Sequence, residues 1–233
     1  MKNHIISHVA FSNLFLIDNG VINKYFDNIN NFDTLIGRID RVSKKIIKDY
    51  WSIYPPEIGN PEAGLLRLKG DIFEIFVEAL VKLVGSHPSL GVYNYIPVVK
   101  ANDWGVDGSG IGLNGSPLTV QIKYRADPKV ELLERDIKQF PLQSFKAYDV
   151  DLNTSTNLLL IASCEGLSPI TASEVFFSQI TVINRQKIAN IVNKNFGFWH
   201  QLTDLINNTI KVKFGSNIKI KSLKEGEVYT EEA

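Results

Sequence analysis

The sequence predicts an α/β fold, a mixed central sheet flanked by helices, and three observations carry that expectation. Two segments, Asn31–Tyr50 and Leu65–Val84, repeat apolar residues at three- and four-residue steps, as amphipathic helices do. Short apolar runs at 92–99 (VYNYIPVV), 157–163 (NLLLIAS) and 180–183 (ITVI) read as strands. Within Gly105–Arg125, Asn114-Gly115 separates two β-rich runs, which is a hairpin signal. Strands interleaved with helices bury their apolar faces as a sheet covered by helical layers.

In chain order, residues 1–30 are Asn-rich and have no clear period. The first helix is expected to start at Asp33 as its cap, with Ile36, Ile39, Val42, Ile46 and Tyr50 on its apolar face. Its other faces carry Arg38, Arg41, Lys44, Lys45 and Lys48, which suit either a solvated surface or contacts to a phosphate backbone. Pro55-Pro56, Gly59, Pro61 and Gly64 mark a loop and a boundary between an N-terminal helical region, 1–64, and a core, 65–195. The second helix buries Leu68, Ile72, Ile75, Phe76, Ala79, Leu80 and Leu83, ends at Gly85, and places Glu74 and Glu78 one turn apart.

Pro97 marks the 92–99 strand as an edge or a bulge. Asp127–Tyr148 reads as helix interrupted at Pro141, and Arg185–Asn193 as helix. The C-terminal part, 196–233, is expected to hold a helix over Phe196–Ile210, a lysine-bearing β-hairpin over Lys211–Lys221 and an acidic tail. Lys211, Lys213, Lys219 and Lys221 on that hairpin either block edge pairing or meet phosphate.

The chain has 233 residues, 44% hydrophobic and 21% charged, with 25 basic and 25 acidic side chains. Zero net charge argues against nonspecific coating of nucleic acid, so a basic surface has to be local. The single cysteine, Cys164, excludes an intrachain disulfide and a Cys-cluster zinc site, and a cytoplasmic location is the expectation. No apolar run approaches the roughly 20 residues that span a bilayer, and no membrane association is expected.

The central hairpin carries the chemistry. Asp107 stands near the start of its first run, and Gln121 and Lys123 share one face of its second. An acid, an amide and an ammonium gathered at one place suit a divalent cation and a phosphate. Magnesium prefers carboxylate, carbonyl and water oxygens. Asp107 is the leading ligand, Glu74 the second, and the Ile122 carbonyl the third, while Gln121 orients water or adds its amide oxygen. Lys123 would stabilise developing phosphate charge and hold the attacking water. Each residue taken alone has a plain structural explanation: Asp107-Gly108 as turn chemistry, Lys123 as an exposed strand residue, Glu74 as a helix margin.

GDIFE at 70–74, GVDG at 105–108 and VQIK at 120–123 together resemble the PD-(D/E)xK nuclease superfamily, in particular its Mrr-like restriction endonuclease branch. The downstream NLLLIAS strand and the ITVINRQKIANIV strand–helix pair fit the same branch, so the resemblance spans about 65–192. It implies a restriction-endonuclease-like core and a DNA endonuclease of the restriction or homing type. Mg2+ would be the cofactor, with Mn2+ able to replace it, and Glu74, Asp107, Gln121 and Lys123 would be the catalytic set. Duplex DNA is the expected partner and a homodimer the expected assembly, because two-fold symmetry sets two sites on opposite strands. Arg125 joins the basic residues above as a DNA-contact candidate. The alternatives are a structure-specific nuclease for branched or recombining DNA, and a DNA-binding protein that keeps the fold without cutting.

Overall fold

The structure, a computed structural model, describes residues 5–8, 20–50, 60–98, 105–152 and 157–214. Its elements in chain order are α1 (Val21–Phe26), α2 (Phe32–Tyr50), α3 (Pro61–Val84), β1 (Val92–Pro97), β2 (Gly108–Gly112), β3 (Pro117–Lys123), β4 (Glu131–Leu132), α4 (Glu134–Ile137), α5 (Phe140–Tyr148), β5 (Leu158–Ala162), β6 (Gly166–Leu167), α6 (Pro169–Ser173), β7 (Thr181–Ile183), α7 (Arg185–Asn193) and α8 (Phe198–Phe214).

Five strands form a mixed sheet in the order β1-β2-β3-β5-β7. β2 runs antiparallel to β1 and to β3, whereas β3, β5 and β7 are parallel. β4 and β6 make a separate parallel pair. This is the α/β class read from the sequence. β5 is buried at all five positions, which is why its sequence is an unbroken apolar run rather than an alternating one. At an end of the sheet, β1 is irregular between Tyr93 and Ile96 and closes with Pro97 opposite Gly108, in keeping with the edge or bulge that Pro97 signals.

Alternation along β3 assigns the two faces. Val120 and Ile122 join the larger apolar cluster, which contains Phe73 and Phe76 of α3, Phe32 of α2 and Phe198 of α8. Thr119 turns to the other side, where its hydroxyl donates to Ser144 of α5 at 2.7 Å. There the smaller cluster gathers Leu158, Leu160 and Ala162 of β5 under Phe140. The apolar residues of α1 and α2 belong to the same cluster as α3 and the sheet.

Several local expectations need correction. The first helix is capped by Asn31, whose Oδ1 accepts from Thr34 N at 2.8 Å; Asp33 instead pairs with Arg185 at 2.7 Å. The second helix begins at Pro61 behind an Asn60 cap, because Pro at the first turn fits a helix start. In the 127–148 stretch, helix is interrupted at 138–139, just before Pro141, which opens α5; the 127–133 part, expected as helix, holds a bend, a turn and β4 instead. Among the described residues the C-terminal hairpin is replaced by helix: Lys211–Phe214 is the last turn of α8. The segment from Phe198 to Phe214 contains neither Gly nor Pro, and lysines in a last turn complement the helix dipole. Lys219 and Lys221 lie outside the described residues. No described helix is long and apolar enough to cross a membrane.

Candidate functional site

Asp107 sits where the β2–β3 ladder stops. Its N–H donates to the Val120 carbonyl and its own carbonyl accepts from Val98 N, each at 2.9 Å. The next rung is made by the side chain: Asp107 Oδ2 accepts from Ile122 N at 2.5 Å. The carboxylate therefore lies at the end of the ladder, against the edge of β3. N–H and C=O of one strand residue face the same edge, so the Ile122 carbonyl is directed to that edge too.

Two glycines fix this corner. Gly105 has φ +94°, and a Cβ on it would come within 3.3 Å of Gln139 and 3.4 Å of the Gln121 amide. Gly108 is required for space: a Cβ there would stand 2.3–2.4 Å from the ring and hydroxyl of Tyr95. Tyr95 thus lies directly on the backbone of the residue after Asp107. Burial first, then the carboxylates of Asp107, Glu78 and Glu74, push the Tyr95 phenol well above its usual range. Two of those acids come from α3 and one from the hairpin, so Glu74 and Asp107 share the surroundings of one phenol.

Gln121 points to the α5 side, beside Gly105, and is buried. Its Oε1 has no hydrogen-bond partner among the described residues. Leaving such an oxygen unsatisfied costs about 1–3 kcal/mol. Lys123 follows Gln121 by strand alternation and is half-buried. Strand alternation puts Gln121 and Lys123 on one face of β3, beyond the edge where Asp107 meets Ile122, whereas Glu74 belongs to α3, whose apolar residues pack with Val120 and Ile122 on the opposite face. A species shared by Glu74 and Asp107 would have to sit at the strand edge, between the two layers.

Glu74 is half-buried and already engaged. His8 Nε2 lies 2.6 Å from Glu74 Oε2. One turn later Glu78 is fully buried and receives Ser7 N at 2.7 Å, Ser7 Oγ at 2.6 Å and His8 N at 2.7 Å, with Lys82 Nζ at 3.2 Å. Sequence reasoning missed Ser7 and His8. They lie 71 and 70 residues before Glu78, in a stretch without periodicity, and no local pattern signals them.

The basic residues divide. Arg41, Lys44, Lys45 and Lys48 are exposed on α2, with Lys44 2.6 Å from Asp40. Arg38 donates to the Asp27 carbonyl. Arg125 is tied to Asp136 at 2.9 Å, to the Tyr124 carbonyl and to Ser163. Lys211 is exposed, and burial pushes the half-buried Lys213 below the usual lysine range. A groove of about 400 Å³ lined by Asp33, Glu165, Arg185 and Asn193, among others, contains none of the expected catalytic residues.

Among the described residues no group of three or more His, Cys, Asp and Glu side chains forms a metal-holding cluster. The expected set has only two carboxylates, and its remaining donors would be amide, carbonyl and water oxygens. An all-oxygen set of this kind fits the chemistry of magnesium, and the unpartnered Gln121 Oε1 fits a polar occupant such as water or a cation. No protein-family model, curated protein or solved structure matches the chain. The geometry of the site therefore carries the functional reading.

Proposed function

We propose that the protein is a metal-dependent DNA endonuclease with a restriction-endonuclease-like core, cutting duplex DNA as a homodimer. The observation that carries this reading is the corner where Asp107 closes the β2–β3 ladder against Ile122, next to Gln121, whose Oε1 has no partner among the described residues. Asp107, the Ile122 carbonyl and Glu74 would hold Mg2+, or Mn2+ in its place. When bound, that cation would neutralise charge on the scissile phosphate and lower the pKa of a water. Gln121 Oε1 would accept a hydrogen bond from the attacking water and orient it toward phosphorus. The Lys123 ammonium would donate to a nonbridging phosphate oxygen as negative charge builds there. The exposed bases of α2 would hold the flanking phosphates.

A second reading has its own support. The carboxylate of Asp107 already serves the Ile122 amide, and that of Glu74 already holds His8, so both acids have structural work without a cation. That would suit a DNA-binding protein that does not cut.

Incubating the purified chain with plasmid and phage DNA, with magnesium or with chelator, separates the two. Metal-dependent discrete fragments are expected. Retarded DNA with no cleavage under magnesium or manganese would establish the second reading. Gel filtration with and without DNA tests the assembly, and a monomer under both conditions would remove the homodimer.

A further inference from the structure

We propose that His8 is a positioning residue for Glu74, and that the 5–8 segment is a built part of the metal site; this rests on the nuclease reading above. The segment is anchored at several points. Ile6 N donates to Thr209 Oγ1 of α8 at 3.0 Å, and Ile6 is fully buried. Ser7 and His8 deliver two backbone amides and a hydroxyl to the buried carboxylate of Glu78 at 2.6–2.7 Å. Charge-assisted hydrogen bonds of this length are the strong ones, and Glu78 has Lys82 as a counter-charge. Glu78 thus clamps the segment to α3, with His8 poised over the preceding turn.

There the imidazole, 3% exposed, places Nε2 2.6 Å from Glu74 Oε2. An ionised carboxylate only accepts, so Nε2–H is the donor. Glu74 has three side-chain torsions, and a hydrogen bond this short restricts them. The His8 contact fixes one carboxylate oxygen and thereby the direction of the other. Side chains that orient a metal-binding group in this way typically change metal affinity or activity by about ten- to a hundredfold when removed. The α3 pattern has a division of labour: Glu78 fastens the segment, and the segment aims Glu74.

The test is Mn2+ binding to the full-length chain without DNA, by titration calorimetry, with thermal melting of the metal-free protein alongside. His8→Ala is expected to weaken Mn2+ affinity about ten- to a hundredfold. His8→Gln, whose amide nitrogen reaches the place of Nε2, is expected to retain it. His8→Asn, too short to reach, is expected to behave like the alanine variant. Wild-type affinity in folded His8→Ala overturns the proposal and leaves the nuclease reading standing. Should the alanine variant fail to fold, equal wild-type affinity of the glutamine and asparagine variants overturns it in the same way. Asp107→Asn locates the signal: if it leaves Mn2+ binding unchanged, or if the wild-type chain binds no Mn2+, the nuclease reading fails and this inference with it.

Discussion

Asp107 combines a structural and a chemical task, and amide and methyl replacements separate them. In Asp107→Asn the side-chain oxygen still accepts from Ile122 N, so the fold should lose about 1 kcal/mol at most, the charge assistance of that bond. In Asp107→Ala the Ile122 amide loses its partner, at about 1–3 kcal/mol. With melting points moving about 2–4 °C per kcal/mol in a chain of this size, the two variants are distinguishable. Both should abolish magnesium-dependent cleavage; full activity in a folded Asp107→Asn would sink the catalytic assignment. Lys123→Ala should also abolish cleavage while leaving the melting point close to that of the parent, since no ion pair of Lys123 is found among the described residues. The meeting of Asp107 with β3 at Ile122 is legible in the sequence because a hairpin is local: a turn and an alternation decide which strand positions face each other. The His8–Glu74 contact is not legible, because its partners are separated by 66 residues and only tertiary packing joins them.

At the scale of elements, strands and helices with strong periods are readable, and boundaries are set by features that periodicity does not contain. α7 has the bounds its sequence suggests, Arg185–Asn193, because Asn184 caps its start by accepting from Lys187 N at 3.1 Å. α8 runs past the expected end because alternating Lys-Val-Lys-Phe satisfies a helix's last turn as readily as a strand. β4 and β6, two residues each, exist only through pairing with one another and leave no sequence signal. Two predictions belong here. Gly108→Ala would drive a methyl into the Tyr95 ring, and overpacking of this kind costs about 1–3 kcal/mol. A melting point unchanged by it would mean that Tyr95 does not lie on β2. On α2, replacing Arg41, Lys45 and Lys48 together by alanine should weaken DNA binding across all sequences. The slope of log K against log salt should become shallower by about 0.9 for each phosphate that the variant no longer neutralises. An unaltered slope would make that face merely solvated.

For the whole molecule, the larger apolar cluster runs from Ile6 to Ile206 and ties every layer on the α3 side into one body. Tyr25, Tyr95 and Tyr124 all pack within or against that body. Burial is the foremost cause that pushes each of their phenols above the ordinary tyrosine value. Tyr25 keeps a hydrogen bond to Ser43 at 3.0 Å, and no partner of Tyr124 Oη is found among the described residues. The sign of the consequence follows from which state holds the proton. Below about pH 10 these phenols are neutral in both folded and unfolded chains, and their contribution to stability is fully present. Above it the unfolded chain releases protons that the folded chain retains, so stability falls with rising pH until the folded values are reached. Each phenol contributes a slope of up to about 1.4 kcal/mol per pH unit, and three together up to about 4. The buried Cys164 thiol, also pushed up by burial, adds to the loss, while Lys213, pushed down, opposes it. Urea unfolding followed by circular dichroism should therefore give a midpoint that is steady up to about pH 9 and drops steeply beyond about pH 10. Phenolate absorbance from these three residues should rise together with unfolding rather than before it. All eight phenols titrating near pH 10 in a chain that is still folded would show that these three tyrosines stand in water, and the shared core on the α3 side would have to be redrawn.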